Sequence, residues 1–400
     1  MTPTRPEVPR VGDGRVAQPG ATVARAKPHM AAMGITRLAD LTGLDRIGVP
    51  VFAAVRPNAR SVATSQGKGL TPDAARAAAL MEAVESWHAE RPPGCLRYAS
   101  AREMATYPLV DLARLPRSGG RAFDPDRPIL WGEGLNLGSG EPRWLPFELV
   151  HTDYRLPQPP AAGCFPVGSN GLGAGNSRGE AIRHALLELI ERDALSLWLQ
   201  RPDRGRGWCR IAPESDPVLN ELAGRLGEAG FDLAIVDITS DLAVPAFLAV
   251  LADRRDPAGH AGFGSAAHPA AGVAASKALL EAVQVRTSYI AGARDDLGPD
   301  EFAAGGLRAK ARWAEKTLQE PVAGPLRPDA AAAALAVDEQ IPWLLHRLAA
   351  NGIPEAIAVD LGRPEIGIPV LRVVVPGLEA AADEPGYVPG ARALAVRSGR

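Results

Sequence analysis

A glycine-rich loop that leads directly into a long predicted helix constrains this chain most. The loop covers residues 169–179, and the helix begins close to Glu180. At about 100° per residue, one narrow sector of this helix carries Glu180, His184, Glu188 and Glu191. Leu186 and Ile190 lie on the opposite side, which is typical of core positions. Three carboxylates in one stripe repel one another unless a cation or a positively charged ligand neutralises them, so the stripe indicates a binding site.

Two further predicted helices carry similar pairs of polar side chains. Thr71 as N-cap and Pro72 in the first turn predict a helix over about residues 72–89, and another is predicted over about residues 271–291. Their polar faces hold Glu82 and Glu85 in the first, and Lys277, Glu281, Gln284 and Ser288 in the second. Their apolar faces hold Leu80, Val84 and Trp87 in the first, and Leu279 and Val283 in the second. One acidic pair is typical of a solvated face, but three pairs on faces lined by small residues favour a shared site.

The chemistry of this site is predicted from its charges. Carboxylates gathered at close quarters favour Mg²⁺, and Mg²⁺ usually accompanies phosphate groups. Lys68, Arg192 and Arg286 would suit phosphate oxygens. Residues 65–69 do not form a Walker A loop, because GxxxxGK[ST] is absent. For His184, a ligand role and a structural role both stay open. The motifs HExxH and GxSxG are absent as well, so the catalytic side chain stays unknown.

Paired apolar runs recur three times along the chain. They lie at residues 35–55, 234–250 and 356–375, and each consists of two short runs separated by turn residues. In each copy the second run begins with Val-Pro or Ile-Pro, and proline is tolerated at the first residue of a strand. Hairpins together with acid-bearing helices predict an α+β fold of repeated αβ units, with sheets and helices packed around a central site.

The predicted domain organisation has three parts. Residues 1–33 form an N-terminal arm, residues 34–380 form the catalytic domain, and residues 381–400 form a C-terminal tail. Two segments of the domain, about residues 92–160 and 295–335, are predicted as peripheral insertions. The first is rich in Pro, Arg and Gly, and the second has a helical pattern.

Composition excludes several classes of protein. The net charge is −2 at pH 7, which gives no electrostatic footprint for nucleic acid. Cys95, Cys164 and Cys209 are scattered without a CxxC motif, so we expect neither a disulfide framework nor a cysteine zinc site. The first thirty residues lack the apolar segment of a secretory signal. The longest apolar run, residues 243–252, is far shorter than the roughly 20 residues of a membrane span. We therefore expect a cytoplasmic protein that binds no membrane.

Seven short motifs, taken together and in order, resemble the YcaO family. They are Gly34-Ile35-Thr36-Arg37, Gly67-Lys68-Gly69, Met81-Glu82-Ala83-Val84-Glu85, Asn176 with Glu180, Glu188-Leu189-Ile190-Glu191-Arg192-Asp193, Glu281-Ala282-Val283-Gln284-Val285-Arg286 and Val375-Pro376-Gly377-Leu378-Glu379. The resemblance runs from about residue 34 to residue 379. It implies a YcaO-type fold that binds ATP and Mg²⁺ without a Walker motif. It also implies an enzyme that activates a peptide-bond oxygen for attack by a nucleophile and then expels it as phosphate.

The resemblance also implies roles for individual residues. The Mg²⁺ ligands would be Glu85, Glu180, Glu188 and Glu191. The residues that contact ATP would be Arg15, Thr22, Lys68, Glu82, Asn176, His184, Arg192, Glu281, Gln284 and Arg286. The chain departs from the family pattern at Ala78, where a serine is usual, so one hydrogen bond to the nucleotide is expected to be missing.

The subgroup is predicted from what surrounds these motifs. The chain lacks the proline-rich PxPxP ending of cyclodehydratase members, since it ends in residues 392–400 without proline. The segments Trp87-His88-Ala89-Glu90 and Asn170-Gly171-Leu172 are similar to YcaO proteins that work with a TfuA-like partner. The resemblance therefore favours thioamide formation in a ribosomally synthesised peptide or a protein. The alternatives are an azoline-forming cyclodehydratase, a macroamidine-forming enzyme and a non-catalytic ATP-binding scaffold subunit. A homodimer is left open.

Overall fold

The computed structural model describes residues 15–159, 161–201, 208–210, 216–257, 259–320, 324–326, 333–382 and 386–399. The helices in these ranges are α1 Pro19–Ala26, α2 Pro72–Ala89, α3 Arg178–Gln200, α4 Pro217–Glu228, α5 Ala271–Ala291, α6 Pro299–Phe302, α7 Ala304–Gln319, α8 Val337–Ala350 and α9 Ala391–Arg397. The strands are β1 Arg37–Asp40, β2 Val51–Val55, β3 Thr64–Lys68, β4 Arg97–Ala99, β5 Ile129–Asn136, β6 Pro142–Pro146, β7 Leu172–Ala174, β8 Trp208–Arg210, β9 Phe231–Asp237, β10 Ala246–Asp253, β11 Gly262–Ala267, β12 Gly324–Pro325, β13 Ile357–Asp360 and β14 Val370–Val374.

Within the described residues these strands form three sheets. The first has the order β1-β2-β3, and the second has the order β11-β10-β9-β8-β12. The third has the order β4-β5-β13-β14-β7, with β6 paired to β5. The three predicted hairpins are confirmed, because β1 pairs antiparallel with β2, β9 with β10, and β13 with β14. The mixture of helices and sheets confirms the predicted α+β class.

Each long helix follows a strand and packs closely on it. The units are β3 with α2, β7 with α3, and β11 with α5. In each strand a glycine lies against helix backbone: an added Cβ would lie 2.0 Å from Ala79 N at Gly67, 2.2 Å from Ala181 O at Gly173, and 2.2 Å from Ala282 N at Gly264. The small residues on the predicted polar faces therefore allow the helix to approach its own strand.

The helix ends and apolar faces agree with the sequence pattern. The Thr71 hydroxyl accepts a hydrogen bond from Ala74 N at 3.2 Å, and Ser177 caps α3 by accepting one from Glu180 N at 3.1 Å. Most of the predicted apolar positions are buried: Leu80, Val84, Leu186, Ile190, Leu279 and Val283. Each helix thus buries one side and presents the other to the space between the units.

Two predicted segments are built into the fold. Part of the N-terminal arm forms α1, which packs on α2 and buries Thr22 and Ala26. The segment 92–160, predicted as peripheral, supplies β4, β5 and β6, and β5 pairs with β13 inside the third sheet. The domain limits themselves stay predictions. Among the helices of the described ranges, none has both the length and the apolar character needed to cross a bilayer.

Candidate functional site

The polar faces of α2, α3 and α5 meet in one cleft. Glu85 Oε1 on α2 lies 4.0 Å from His184 Nε2 on α3. Glu281 on α5 repels both Glu191 on α3 and Glu82 on α2, and this repulsion contributes to the raised pKa values of these two groups. The structure therefore brings side chains from all three helices into one electrostatic cluster, as the sequence predicts.

Glu82 and Glu85 of α2 are poorly compensated by the protein. Loss of hydration, with added repulsion from Glu188, raises the pKa of Glu85 to about 8, although Ala174 N donates a hydrogen bond to it at 2.6 Å. Glu82 is exposed to the open cleft, yet the surrounding protein reduces its hydration. This effect raises the pKa of Glu82 to about 7 against the opposing charge of Lys68. A cation in the cleft would compensate both groups.

The acids of α3 are oriented by neighbouring strands and loops. Glu188 accepts a hydrogen bond from Gly171 N at 2.9 Å, and burial raises its pKa. Glu191 accepts one from Ser265 Oγ of β11 at 2.6 Å. Burial raises the pKa of Glu191 to about 7, although Arg192 lies close, with Nε 3.8 Å from Glu191 Oε1. The sequence did not identify Ser265, whose position two residues before the end of its strand carries no motif.

Glu180 lies at the N-terminal end of α3 and is only 4% exposed. It accepts hydrogen bonds from Val16 N and from Asn176 N, the latter at 2.8 Å. Asn176 Nδ2 also donates to Thr22 Oγ1 at 3.0 Å. The structure thus joins Thr22, Asn176 and Glu180 in one network that ties the N-terminal segment to the glycine-rich loop.

Two positively charged side chains, Arg15 and Lys277, act on His184 beside this network. Reduced hydration, with the charges of Lys277 and Arg15 acting next, lowers the pKa of His184 to about 3. His184 is therefore neutral near pH 7 and cannot serve as a cation there. The charge of Arg15, a residue that the family resemblance assigns to ATP contact, acts on both His184 and Glu85. Lys277 was not assigned a role from the sequence, although its place four residues before Glu281 on the same face was the available signal.

Lys68 and Glu281 form an ion pair across the cleft, in which Lys68 Nζ donates to Glu281 Oε2. Burial opposes the charge on Lys68, but Glu281 prevails and raises the Lys68 pKa. The charge of Arg294, which the sequence analysis missed, acts on both Glu82 and Glu281. Gln284 lies one turn from Glu281 and is 6% exposed, and its Oε1 has no hydrogen-bond partner among the described residues. These groups form the part of the cluster that lies around Glu281.

The prediction that Arg286 contacts phosphate conflicts with the structure. Arg286 Nε lies 2.8 Å from Asp45 Oδ2, and its Nη2 lies 3.1 Å from Asp253 Oδ2. The side chain is 9% exposed, and Nη1 donates to the carbonyl of His260. Arg286 is about 140° around α5 from Glu281 and points away from the cleft. Two buried carboxylates already use its charge, which a sequence motif cannot reveal.

The cluster fits a divalent cation bound together with an anion. Among the described residues, no three His, Cys, Asp or Glu side chains form a ready-made metal site. Mg²⁺ commonly takes one or two protein carboxylates and completes its octahedral shell with water and phosphate oxygens. In this cluster the carboxylates with raised pKa values would bind the cation, and Lys68 and Lys277 would bind the anion. The roles of individual residues stay predictions.

The raised pKa values predict how stability depends on pH. Without a divalent cation, the folded chain holds more protons on Glu82, Glu85 and Glu191 than the unfolded chain between pH 4.5 and about 8. The free energy of unfolding therefore falls as pH rises through that range. We expect the thermal midpoint of the metal-free protein to decrease from pH 5 to pH 8, and Mg²⁺ with ATP to restore it at pH 8.

Differential scanning fluorimetry at several pH values measures this dependence. Glu85→Gln is the matched control, because it removes one titrating group and flattens the slope. A midpoint that rises from pH 5 to pH 8 in the metal-free protein contradicts the prediction.

Comparison with known proteins identifies a matching family and several relatives. The model of the YcaO cyclodehydratase family, described as ATP- and Mg²⁺-binding, matches residues 66–379. An uncharacterized protein in the tfuA 3′ region of Rhizobium leguminosarum bv. trifolii is 37% identical over 385 residues, which cover 91% of this chain and 88% of that protein. An uncharacterized protein of Methanothermobacter thermautotrophicus is 34% identical, with 94% of this chain and 97% of that protein covered.

Solved structures share the fold. YcaO from Methanopyrus kandleri, bound with AMPPCP and Mg²⁺, is 24% identical with a TM-score of 0.68, and the match covers 94% of this chain and 97% of that one. A heterocyclase in complex with substrate and cofactor is 23% identical with a TM-score of 0.77, and the match covers 94% of this chain. The match spans about half of that heterocyclase, 55% of its length. These structures confirm the predicted fold, and the comparisons give no support to a homodimer.

Proposed function

Because the chain belongs to the YcaO family, we propose that it uses ATP and Mg²⁺ to activate a peptide backbone amide and that a TfuA-like partner helps to convert this amide into a thioamide. The observation that carries the thioamide proposal is the 37% identical relative in the tfuA 3′ region, which extends over 91% of this chain. The family description supplies the two cofactors, ATP and Mg²⁺. The substrate is a ribosomally synthesised peptide or a protein.

The cleft supplies binding groups for these cofactors. Glu85, Glu188 and Glu191 would hold Mg²⁺, since loss of hydration raises their pKa values and a bound cation would compensate their charge. The charge of Lys68 acts on Glu191 and that of Lys277 acts on His184, so phosphate oxygens would bind near these lysines. When bound, Mg·ATP supplies the phosphoryl group that turns the amide oxygen into a leaving group.

Glu180 and Asn176 order the backbone at the start of α3 and in the N-terminal segment. Glu180 was predicted as a metal ligand, and both of its oxygens accept backbone N–H groups, from Val16 and Asn176. These bonds fix the start of α3 and bring Arg15, next to Val16, beside Glu85. A carboxylate oxygen retains a second lone pair, so Glu180 can still bind a cation while it orders the N-terminal segment.

His184 is suited to hydrogen bonding in the cleft rather than to proton transfer. Its pKa of about 3 makes it a weak base and keeps it neutral at the pH of the cell. A neutral imidazole donates one hydrogen bond and accepts another, so it can orient a bound group beside Glu85, 4.0 Å away.

The alternative enzymes would use the same cleft with another nucleophile, and a scaffold subunit would bind ATP there without any nucleophile. An azoline-forming cyclodehydratase or a macroamidine-forming enzyme would activate the amide in the same way and add a nucleophile from the peptide. A non-catalytic ATP-binding scaffold is disfavoured, because the acids of all three helices and their supporting hydrogen bonds are present. Measuring ATP turnover by the purified chain with and without partner separates a scaffold from an enzyme.

Mass spectrometry tests the product. The chain is expressed in its native cells together with a TfuA-like protein, and tryptic peptides of these cells are compared with those from cells that express a Glu191→Gln chain. Exchange of oxygen for sulfur adds about 16 Da to one peptide, whereas cyclodehydration removes about 18 Da, from atomic masses applied to the assigned roles. A gain that needs both Glu191 and the partner supports thioamide formation. A loss of about 18 Da, or no change at all, overturns it.

A further inference from the structure

The chain beyond the family match folds against the back of α3. Asp193 follows Glu191 and Arg192 in α3, and its side chain is 0% exposed. Arg392 of α9 donates two hydrogen bonds to this carboxylate, from Nε to Oδ1 and from Nη2 to Oδ2, each 2.9 Å long. Glu379 N donates to the same carboxylate at 2.9 Å. A fully buried carboxylate is thus held by the C-terminal segment.

A second carboxylate fixes that segment in place. Glu379 accepts hydrogen bonds from Tyr387 OH at 2.9 Å, Gly390 N at 2.8 Å and Ala393 N at 2.9 Å. At Gly390 an added Cβ would lie 2.7 Å from Glu379 Oε1, so a side chain there would displace this contact. The N-terminus of α9 is therefore tied to the residue that also binds Asp193.

Arg392 also reaches a third element. Its Nη1 lies 3.0 Å from Asp241 Oδ2, in the turn between β9 and β10. One turn further along α3, Ser196 Oγ donates to Ala380 O at 2.6 Å and accepts from Ala382 N at 3.0 Å. The guanidinium of Arg392 consequently joins α3, the β9–β10 turn and α9 at one point.

We propose that Arg392 is a positioning residue for the cleft, and that α9 braces the turn of α3 that carries Glu191 and Arg192. Asp193 lies about 200° around the helix from Glu191, so the brace acts from behind while Glu191 faces the cleft. Without Arg392, the buried carboxylate of Asp193 would lose its main counter-charge. The helix would then have to shift to hydrate it, and Glu191 and Arg192 would move with it.

This inference rests on the proposed function, because it assigns the turn of α3 to Mg·ATP binding. It gives a role to α9, which lies in the segment that the sequence analysis described only as a C-terminal tail. Mutation of a residue that orients the ligands of a metal site typically lowers metal affinity or activity by about 10- to 100-fold. Because Arg392 supports a turn assigned to Mg·ATP binding, its effect is expected in binding more than in the rate at saturation.

The test compares Arg392→Gln, Asp193→Asn and the double variant, with Arg397→Gln as a control on the same helix. Arg397 is exposed, and none of the hydrogen bonds of the brace involves it. Mg·ATP affinity is measured by calorimetry, the thermal midpoint by fluorimetry, and kcat and KM for ATP by phosphate release. We expect Arg392→Gln to weaken binding about tenfold at a temperature where the protein is folded, with kcat changed less than about twofold.

The double variant identifies the path of the effect. It removes both charges and allows an amide–amide hydrogen bond, so we expect it to regain most of the lost affinity. If Arg392→Gln binds Mg·ATP as the wild type does, or lowers only the thermal midpoint, the brace has no positioning role. If the double variant is no tighter than Arg392→Gln, the effect does not pass through Asp193. If the wild type itself shows no saturable Mg·ATP binding, the proposed function fails and this inference with it.

Discussion

We expect Glu191→Gln to lower ATP turnover at least about 100-fold while the protein remains folded. The change keeps the shape of the side chain and its ability to accept a hydrogen bond from Ser265 Oγ, which lies 2.6 Å from the carboxylate. It removes one negative charge from a cleft in which Glu188 and Glu281 also repel Glu191. The metal-free variant should therefore be at least as stable as the wild type, and the loss should appear in Mg·ATP binding.

Calorimetric titration with Mg·ATP and a phosphate-release assay measure this effect together. Glu221→Gln is the control, because Glu221 is an exposed glutamate on α4 that lies outside the cluster. Equal Mg·ATP binding by wild type and Glu191→Gln would remove Glu191 from the proposed metal ligands. Weaker binding in the Glu221→Gln control would point to a general charge effect instead.

Gly67→Ala should destabilise the fold by about 3 kcal/mol or more, since the added methyl group has no space. Its Cβ would lie 2.0 Å from Ala79 N and 2.4 Å from Ala75 O, both of which belong to the backbone of α2. Backbone atoms cannot rotate away as a flexible side chain can. Strand β3 and helix α2 would have to separate, and this would also move Lys68 and Glu82 apart.

Urea denaturation of the two forms gives the difference in the free energy of unfolding. Gly224→Ala is the matched control: Gly224 lies within α4, and an added Cβ there meets no atom within 4 Å. In that position alanine is expected to stabilise the helix by up to about 1 kcal/mol. A Gly67→Ala protein as stable as the wild type would show that the strand and helix do not approach as closely as described.

Local signals were sufficient for the elements that carry the site. The predicted cap Thr71 accepts the hydrogen bond expected at a helix N-terminus. The spacing of Leu186 and Ile190 against Glu188 and Glu191 correctly separates the buried face of α3 from its polar face. Helix periodicity and capping depend on neighbours within a few residues, so they are legible in the sequence.

Long-range partners were not legible in the same way. Arg286 follows Gln284 in a motif that suggested phosphate, but Asp45 and Asp253, distant in sequence, hold its guanidinium. Ser265 and Arg294 take part in the cluster without any motif that would have assigned them, and the signal for Lys277 was only its place on the same helix face as Glu281. Residues 92–160 supply β4, β5 and β6 of the third sheet, because β5 pairs with β13, which lies more than 200 residues later along the chain.

Sequence patterns were enough to predict the three acid-bearing helices, the three hairpins and the kinship with a family that binds ATP and Mg²⁺. Which charges meet depends on tertiary packing, because a pKa or an ion pair depends on through-space distance and burial rather than on sequence order. It placed Glu85 beside His184, withdrew Arg286 from the cleft, and set Arg392 behind Asp193. Helix periodicity reveals the acidic residues. The packing of segments distant in sequence then sets their hydrogen bonds and their protonation.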